Sequence, residues 1–353
     1  MTVCYFGDYN PAYARNHILI KGLVQNGVKI IECNDQSRGF GKYIRLIRQF
    51  RKKKYGCDYI LVGYSDSRFS VPLLRLLTLR PVVWDPFYSL YDSWVHDKKL
   101  VPSWHPKAAY YWFLDWLNCK LAYKILLDTE QHKIYFIQKF SIPATKCIKV
   151  LIGSDDEFFT PQTRLRNADT FRVGFIGKYI PLQGVDTIIR AAHKLSDEKN
   201  IQFQLIGSGQ TYSTVRDLSR NLKVKNVHFK GAITLKEVPK HIAEFDVVLG
   251  IFGTTGKTGR VIPNKVYEAI AMKKPIITGN TPAIRELFTD GEHMLLCKTG
   301  SAEDLAEKII VLYKDSELRK KIAAKAYNLY KSKCTPKVVT EPLALLLSNL
   351  RKL

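Results

Sequence analysis

The sequence predicts an α/β protein built from two doubly wound parallel sheets, one in each half of the chain. Short apolar runs bounded by glycine, proline or aspartate alternate with amphipathic segments of helical spacing along the whole sequence, which is typical of βαβ units. The apolar runs are continuous, as expected of parallel strands that are covered on both faces. A chain of 353 residues is long enough for two such domains, which we expect to face each other across a cleft.

The predicted elements follow one another in regular order. Strands are predicted at residues 2–7, 28–32, 58–63, 81–84, 124–128, 147–152, 171–177, 201–207, 227–231, 247–251, 275–278 and 293–297. Helices are predicted up to residue 26, at 41–54, 69–79, 129–140, 185–195 and 235–245, from 263, from 280, twice within 302–331, and at 335–353. Gly27 supplies a helix stop and Thr129 a helix N-cap.

Composition excludes several classes of protein. The sequence is 46% apolar and 12% aromatic, which indicates packed cores and not disorder. Its 7 cysteines are scattered, with no Cys-x-x-Cys pair, and favour buried thiols in a reducing compartment over a disulfide framework or a zinc site. The first residues, MTVCYFGDYN, begin directly as a strand and predict no signal peptide. No uncharged apolar run approaches the roughly 20 residues that cross a bilayer.

The net charge of the chain is +23. Such an excess attracts polyanions, which include nucleic acids, nucleotide diphosphates and anionic membrane surfaces. The sequence carries no zinc-finger, helix-turn-helix or RNP-type signature. Charge alone would therefore have to support a nucleic-acid partner, and we disfavour that interpretation.

Residues 246–279 contain the most informative pattern. A buried strand is followed by a loop with glycines, a short helix that starts near Pro263 and a second buried strand. The glycines allow close approach of a ligand to the backbone, and a helix N-terminus after a parallel strand is a ready site for an anion. Glu268, one turn into the helix, is well placed to hold two ribose hydroxyls. The loop and helix contribute Gly253, Gly256, Gly259, Lys257, Arg260 and Lys265.

The segment RVIPNKVYEAIAMKKPIITG, residues 260–279, resembles the donor-site signature of retaining GT-B glycosyltransferases of group 1 (family 4). That family usually carries two glutamates eight positions apart, and Glu268 matches the second, which holds the donor ribose. Arg260 stands where the first glutamate would contact the donor sugar, so the pattern leaves the identity of the sugar open. A plain βαβ unit with a solvated glutamate is the alternative.

The resemblance implies a domain organisation. It predicts an acceptor-binding Rossmann-like domain at residues 1–160, a nucleotide-sugar-binding Rossmann-like domain at 161–335 and a C-terminal helix, 336–353, that packs back onto the first domain. Residues 153–161 resemble the family's interdomain hinge, and the polar run 162–170 completes the linker. Asp155 and Asp156 are interpreted as caps of this hinge and not as metal ligands.

The resemblance also assigns residues to the donor. It places Lys178 and Lys265 against the diphosphate, where both would stabilise the leaving group, and Gln183 where the family carries a second basic residue. Loss of that charge costs on the order of 1.5–3 kcal/mol, which Lys257 or Lys265 would offset. The other donor-binding positions implied are Gly7, Arg15, Gly177, Gly207, Gly209, Gly231, Arg260, Pro263, Asn264 and Glu268.

Acceptor residues are expected in the first half of the chain. The loop after the first strand resembles the family's first loop, so Gly7, Arg15 and Asn16 are candidates for the wall of the cleft, with an ordinary βα loop as the alternative. Asp85 follows the fourth strand, where many relatives carry a histidine. Asp85 or Asp92 would orient the acceptor hydroxyl and are the catalytic candidates there. His96 is a further candidate, with a solvated histidine as its alternative.

Two stretches predict contact with an anionic membrane. Residues 41–54 form a helix with 7 basic residues beside an apolar stripe of Ile44, Ile47 and Phe50, which suits docking on anionic lipid. Residues 98–124 combine lysines with aromatic residues that favour an interfacial patch. For both stretches the alternative is a helix packed into the core. The aromatic residues concerned are Trp104, Tyr110, Tyr111, Trp112, Phe113 and Trp116.

We therefore predict a glycosyltransferase that moves a sugar from a nucleotide diphosphate sugar, of the UDP or GDP type, to an acceptor hydroxyl with retention. The expected acceptor is a glycan or glycolipid of the cell envelope, and the expected location is the cytoplasm, at the inner face of the membrane. The nucleotide sugar is a substrate; no cofactor is expected and the arrangement does not require a metal. Arg260 and Gln183 motivate one alternative, a nucleotide-sugar-binding protein without turnover, and the charge motivates another, nucleic-acid binding.

Overall fold

The computed structural model of the chain describes residues 1–162 and 170–350. The chain divides into two compact units, one formed by Met1–Gly153 together with the chain from Cys334 on, and one formed by Ser154–Lys333. The division after Gly153 falls at the start of the predicted hinge and not at residue 160. The predicted linker, residues 162–170, lies outside the described residues except at its two ends.

The first unit alternates strands and helices. Its strands are β1 (Thr2–Gly7), β2 (Lys29–Asn34), β3 (Tyr59–Val62), β4 (Val82–Trp84), β5 (Lys124–Leu127) and β6 (Cys147–Lys149). Its first five α-helices are α1 (Ala14–Gln25), α2 (Gly41–Lys53), α3 (Ser70–Leu77), α4 (Pro106–Leu121) and α5 (Glu130–Phe140). As predicted, the Thr129 side chain caps α5 by accepting from the His132 N–H.

The strands of the first unit form one parallel sheet in the order β2-β1-β3-β4-β5-β6. One face is covered by α2 to α5, whose buried side chains pack with Phe6, Ile60 and Trp84. The opposite face is covered by α1 and by the C-terminal helix of the chain, which pack on Val3 and Tyr5. The sheet is therefore covered on both faces, as the continuous apolar runs predict.

The C-terminal helix packs on α1 of the first unit. Thr340 accepts a 3.0 Å hydrogen bond from Asn26 Nδ2, which also donates to the Lys337 carbonyl over 2.8 Å. The approach requires a glycine at position 22, because a Cβ there would lie 2.1 Å from the Pro336 carbonyl oxygen. Although it follows the second unit in sequence, this helix thus belongs to the first unit.

The second unit is also a parallel α/β layer. Its strands are β7 (Phe171–Ile176), β8 (Ile201–Ile206), β9 (Val227–Lys230), β10 (Val247–Leu249), β11 (Ile276–Gly279) and β12 (Leu295–Cys297), in the order β12-β11-β10-β7-β8-β9. Its helices are α6 (Val185–Lys194), α7 (Tyr212–Asn221), α8 (Val238–Ala243), α9 (Asn264–Ala271), α10 (Pro282–Arg285), α11 (Ala302–Lys314) and α12 (Ser316–Lys333), and the C-terminal helix is α13 (Pro336–Leu350).

Several details differ from the sequence-based expectations. The sequence analysis missed α7, although Val215 and Leu218 pack on the core at helical spacing. In α2 the buried residues are Leu46 and Phe50, whereas Ile44 is 55% exposed, so the predicted stripe is rotated by part of a turn. All 7 cysteines are buried and without disulfide bonds, as predicted.

Candidate donor site

The N-terminus of α9 places Lys265 next to the end of β7. Its ammonium donates a 2.6 Å hydrogen bond to Gln183 Oε1 and lies 3.5 Å from the centre of the Phe175 ring. The helix starts after Pro263, with no side chain capping its first turn, so backbone N–H groups there remain available to an anion. Burial lowers the pKa of Lys265 well below its ordinary value, and the nearby carboxylate of Glu268 only partly offsets this effect.

Glu268 lies one turn further along α9 and is half-buried. Burial raises the pKa of its carboxyl group to about 7, and the positive charge of Lys265 opposes that rise. The helix thus carries a buried lysine and a weakly acidic carboxyl group on consecutive turns. Burial lowers the pKa of the lysine and raises the pKa of the glutamate. Lys265 and Glu268 are the residues predicted to contact the diphosphate and the ribose.

Glycines bring the neighbouring loops against one another. A Cβ on Gly177 would lie 2.7 Å from Lys265 Nζ, and one on Gly207 would lie 1.9 Å from the Gly177 carbonyl oxygen. A Cβ on Gly209, which has a φ of +150°, would lie 2.6 Å from the Tyr179 carbonyl oxygen. Of the predicted donor residues, Gly177 thus packs against Lys265, Gly207 packs against Gly177, and Gly209 packs against Tyr179.

The other donor candidates of the second unit differ in exposure. Lys178 is exposed immediately after β7, whereas Pro263, Asn264 and Arg260 are half-buried. Arg260 closes a short 3-10 turn, Thr258–Arg260, that contacts α10. Gly231 is exposed, and a Cβ there would meet no atom within 4 Å. Packing therefore does not require a glycine at position 231.

In the first unit, Arg15 and Asp85 form one buried ion pair. Arg15 Nε donates to Asp85 Oδ2 over 2.8 Å, and Nη1 donates to the carbonyls of Val150 and Leu151 over 2.7 and 2.9 Å. Both side chains are at most 1% exposed. Burial raises the pKa of Asp85 and the charge of Arg15 opposes the rise. In the described conformation neither group is accessible to an acceptor hydroxyl or to a donor.

The remaining candidates of the first unit are also largely internal. Asp92 is fully buried, in a helical turn formed by Asp92–Asp97, whereas His96 is exposed. Asn16 is fully buried; its Oδ1 accepts from the Tyr64 N–H over 2.9 Å and its Nδ2 donates to the Tyr64 carbonyl over 3.0 Å. Gly7 ends β1 with φ of +138°. Asn16 is therefore a positioning residue for the loop after β3.

Sequence reasoning missed some residues of both regions. Successive side chains of a strand such as β7 point to opposite faces of the sheet. This alternation could have indicated the direction of the Phe175 ring, which lies beneath Lys265. Asp128 Oδ1 and His132 Nδ1 lie 2.5 Å apart at the carboxyl end of β5, and their i, i+4 spacing was a usable signal. Asp155 Oδ1 accepts from the N–H groups of Glu157 and Phe158, as expected of a cap. Within residues 1–162 and 170–350, no cluster of three or more metal-ligating side chains occurs.

The chain is similar to known glycosyltransferases. Residues 156–329, which fall almost entirely within the second unit, match the family described as Glycosyl transferases group 1. An uncharacterized glycosyltransferase of Methanocaldococcus jannaschii is 27% identical over 157 residues, which are 44% of this chain and 42% of that protein. The capsular polysaccharide biosynthesis glycosyltransferase CapM of Staphylococcus aureus is 23% identical over 176 residues, 50% of this chain and 45% of CapM. The matches thus span less than half the length of these relatives.

Among solved structures, Anabaena HepE in complex with UDP and glucose is similar to the whole chain. The TM-score is 0.74 at 16% identity, with 99% of this chain and 100% of HepE covered. At that identity the likeness concerns the fold alone. Together with the two six-stranded parallel sheets it confirms the predicted fold class, GT-B with two Rossmann-like domains.

Proposed function

We propose that this protein is a retaining glycosyltransferase of the family 4 class, which transfers a sugar from a nucleotide diphosphate sugar to an acceptor hydroxyl. The single observation that carries the proposal is the arrangement on α9. A buried Lys265 stands at the start of the helix, where no side chain caps the first turn, Gly177 packs against its ammonium, and Glu268 follows one turn later. A diphosphate at the helix N-terminus would meet Lys265 and backbone N–H groups, while the carboxylate of Glu268 would accept hydrogen bonds from the ribose.

The reaction proposed needs no nucleophile from the protein. The bond between the anomeric carbon and the diphosphate oxygen breaks, the acceptor oxygen bonds to the same face of that carbon, and the acceptor proton passes to a diphosphate oxygen. Lys265, Lys178 and the start of α9 would stabilise the negative charge that develops on the leaving group. Their contribution is positioning and electrostatic stabilisation. Lys178, Lys265 and α9 lie within residues 156–329, which match the group 1 family, and this supports the assignment.

CapM is named for capsular polysaccharide biosynthesis, and this supports an acceptor glycan or glycolipid of the cell envelope for the present chain. HepE was crystallised with UDP and glucose, which supports a UDP-sugar as the first donor to test. We place the reaction in the cytoplasm, at the inner face of the membrane. No helix within the described parts of the chain is both long and apolar enough to cross a bilayer, so the membrane contact proposed is peripheral.

The outer face of α2 supports that membrane contact. Arg48, Arg51 and Lys52 are exposed and share one side of the helix with Ile44. Phe40 and Tyr55, each 83% exposed, stand at the two ends of this face. Cations flanked by exposed apolar side chains suit the boundary of an anionic bilayer, where each basic residue contributes about 1 kcal/mol. In the second predicted patch, Trp104, Tyr110 and Phe113 are exposed, whereas Trp112 and Trp116 pack on the core.

One specific observation favours a second candidate, a nucleotide-sugar-binding protein without turnover. Gln183 accepts its hydrogen bond from Lys265, and Arg260 stands where the family carries a glutamate. Such a protein would bind the donor without releasing nucleoside diphosphate in the presence of any acceptor. Release of UDP or GDP from the nucleotide sugar therefore separates the two candidates.

A thermal-shift screen against UDP, GDP, ADP, CMP and dTDP and their sugar conjugates, with and without EDTA, tests the donor site. A ligand at about a hundred times its dissociation constant should add roughly 2.7 kcal/mol of stability. The proposal requires that one nucleotide stabilises the wild type and not Glu268→Ala, and it fails if none does. Product release and the anomeric configuration of the product, read by NMR, then test turnover and retention.

Vesicle sedimentation tests the membrane contact. The full chain should sediment with phosphatidylglycerol vesicles and not with phosphatidylcholine vesicles, and the triple variant Arg48→Glu, Arg51→Glu, Lys52→Glu should lose this binding. The matched control reverses three exposed cations of the second unit, Arg220, Lys223 and Lys225. Equal sedimentation of both triple variants would contradict the assignment of α2.

A further inference from the structure

The loops that follow β1, β3 and β4 place four aromatic rings side by side. Ring centroids lie 4.9 Å apart for Tyr13 and Tyr64, 5.1 Å for Tyr64 and Phe87, 5.4 Å for Tyr64 and Tyr88, and 5.7 Å for Tyr13 and Phe87. Tyr64 is buried beneath the others, while Tyr13, Phe87 and Tyr88 are half-exposed. We refer to these four residues as the aromatic platform.

The platform occupies the place where open α/β sheets bind ligands. In the sheet order β2-β1-β3-β4-β5-β6, the chain runs from β1 to one side and then returns to build the other side from β3. The crevice outside the carboxyl ends of strands at such a switch point is the usual ligand site. Tyr13 follows β1 and Tyr64 follows β3, so the platform lies at this point of the sheet.

Phe87 is held in a backbone conformation that a bulky residue adopts only under constraint. Its φ is +60°, and the Tyr88 N–H donates to the Pro86 carbonyl over 2.7 Å, so Phe87 is the central residue of a γ-turn of the rare, positive-φ type. Such a conformation costs roughly 1–3 kcal/mol, and it occurs mainly where the surrounding structure enforces it for a functional reason.

Buried groups enforce the turn from both sides. Arg68 Nη2 donates to the carbonyls of Pro86 and Tyr88 over 3.3 and 2.6 Å, and Asp85 Oδ1 accepts from the Phe87 N–H over 3.1 Å. Asp85 is in turn held by Arg15. Two buried arginines, Arg15 and Arg68, thus hold the turn that carries the half-exposed Phe87 ring. Asp85 acts as a positioning residue for this ring.

A carboxylate stands at the rim of the platform. Asp66 is exposed, and its Oδ1 accepts from the hydroxyls of Tyr64 and Tyr88 over 3.2 and 2.5 Å. Burial raises the pKa of both tyrosines, so both hydroxyls stay protonated and keep Asp66 in place. Within the described residues Asp66 Oδ2 has no hydrogen-bond partner, so this oxygen can accept from a ligand.

We propose that the aromatic platform and Asp66 bind the hexosyl ring of a glycan acceptor. This inference rests on the proposed function, because it names the acceptor class of that reaction. A sugar ring has one face of C–H groups, which packs on aromatic rings, and a rim of hydroxyls, which donate to a carboxylate. The centroid separations leave no space for a cation between the rings, so the cluster is a continuous surface and not an aromatic cage.

Saturation-transfer difference NMR on the full chain tests the platform with a defined probe, a panel of methyl α-glucoside, methyl α-galactoside and methyl N-acetyl-α-glucosaminide. At least one hexoside should receive saturation at its ring C–H protons from the wild type. Phe87→Asn should lose at least about four-fifths of this signal, and its melting temperature should stay equal or rise, because asparagine tolerates positive φ. Asp66→Asn should weaken binding about 10-fold, while Phe113→Ala, an exposed aromatic on α4, should bind as the wild type.

The outcomes separate this inference from the proposed function. If no hexoside is saturated, or if Phe87→Asn is saturated as strongly as the wild type, the platform does not bind sugars. UDP binding by the same preparations reports the donor site independently, because that site lies in the second unit. A protein that binds UDP and no hexoside would contradict only the assignment of the platform. A protein that binds hexosides and no nucleotide would contradict only the assignment of the donor site.

Discussion

Lys265 Nζ donates a 2.6 Å hydrogen bond to Gln183 Oε1. The neutral side chain of Gln183, which stands where the resemblance implies a second basic residue, is thus held by Lys265. The ammonium also lies over the Phe175 ring, and the Glu268 carboxylate acts on its charge. These groups compensate the buried charge only partly, because burial still lowers the pKa of Lys265 well below its ordinary value. A diphosphate would supply the missing negative charge, and this gives a reason why such a lysine is kept in the interior.

Lys265→Met should therefore stabilise the free protein and weaken nucleotide binding. Replacement of an incompletely paired buried charge by an apolar side chain of similar length should raise the free energy of unfolding by about 1–3 kcal/mol. The dissociation constant for UDP should rise at least 10-fold. Denaturant unfolding and calorimetric titration measure the two effects, with the exposed Lys298→Met as control. A variant that binds UDP as tightly as the wild type would remove Lys265 from the diphosphate site.

Glu268→Ala should abolish turnover and weaken UDP binding about 100-fold or more, because hydrogen bonds from ribose hydroxyls to an ionised carboxylate are worth about 1.5–3 kcal/mol each. Glu268→Gln should bind UDP better than the alanine variant, since the amide keeps one acceptor. Calorimetry with UDP and with 2′-deoxy-UDP separates the ribose contact from a general loss of structure. The exposed Glu307→Gln is the matched control. Retention of more than about half of the turnover by Glu268→Ala would contradict the ribose assignment.

Gly177→Ala should impair the donor site without unfolding the protein. The added Cβ would lie 2.7 Å from Lys265 Nζ and 3.3 Å from the Phe175 ring; because the lysine is the flexible partner, the ammonium should move and lose its bond to Gln183. We expect UDP affinity to fall about 10-fold, with a melting temperature within a few degrees of the wild type. Gly56→Ala, whose Cβ would meet only Ile31 at 3.7 Å, is the control. Unchanged UDP affinity would show that the close packing at Gly177 is not needed for binding.

The order of elements and the fold class could be predicted because both depend on local sequence. Continuous apolar runs such as Tyr59–Val62 fix the parallel strands, and Thr129 or Gly27 mark helix ends through local hydrogen bonding and backbone conformation. Orientation was harder to predict. Ile44 and Leu46 are both apolar residues of a basic helix, and only the packing of the helix on the apolar cluster of the first sheet decides that Leu46 is buried.

The candidate sites show the same limit. Lys265 and Glu268 could be found because they share one helix, so their separation follows from the helical repeat. The pairing of Arg15 with Asp85, 70 residues apart, depends on which strands are neighbours, and sequence spacing does not give it. For the same reason the sequence assigned Asp85 to the acceptor, whereas in the structure its carboxylate supports the turn at Phe87.

The pKa of Glu268 gives the donor site a pH dependence whose sign can be worked out. Burial raises that pKa from 4.5 to about 7, so between these values the folded protein holds a proton that the unfolded chain has lost. The contribution of Glu268 to stability therefore falls as pH rises from 4.5 to 7 and is constant above. The difference in unfolding free energy between wild type and Glu268→Gln should change by about 1–3 kcal/mol over this range.

Ribose binding needs the ionised form of Glu268, so UDP affinity should increase from pH 6 to pH 8 in the wild type and much less in Glu268→Gln. Calorimetric titrations at these two pH values check the prediction, and equal slopes for both proteins would show that another group controls binding.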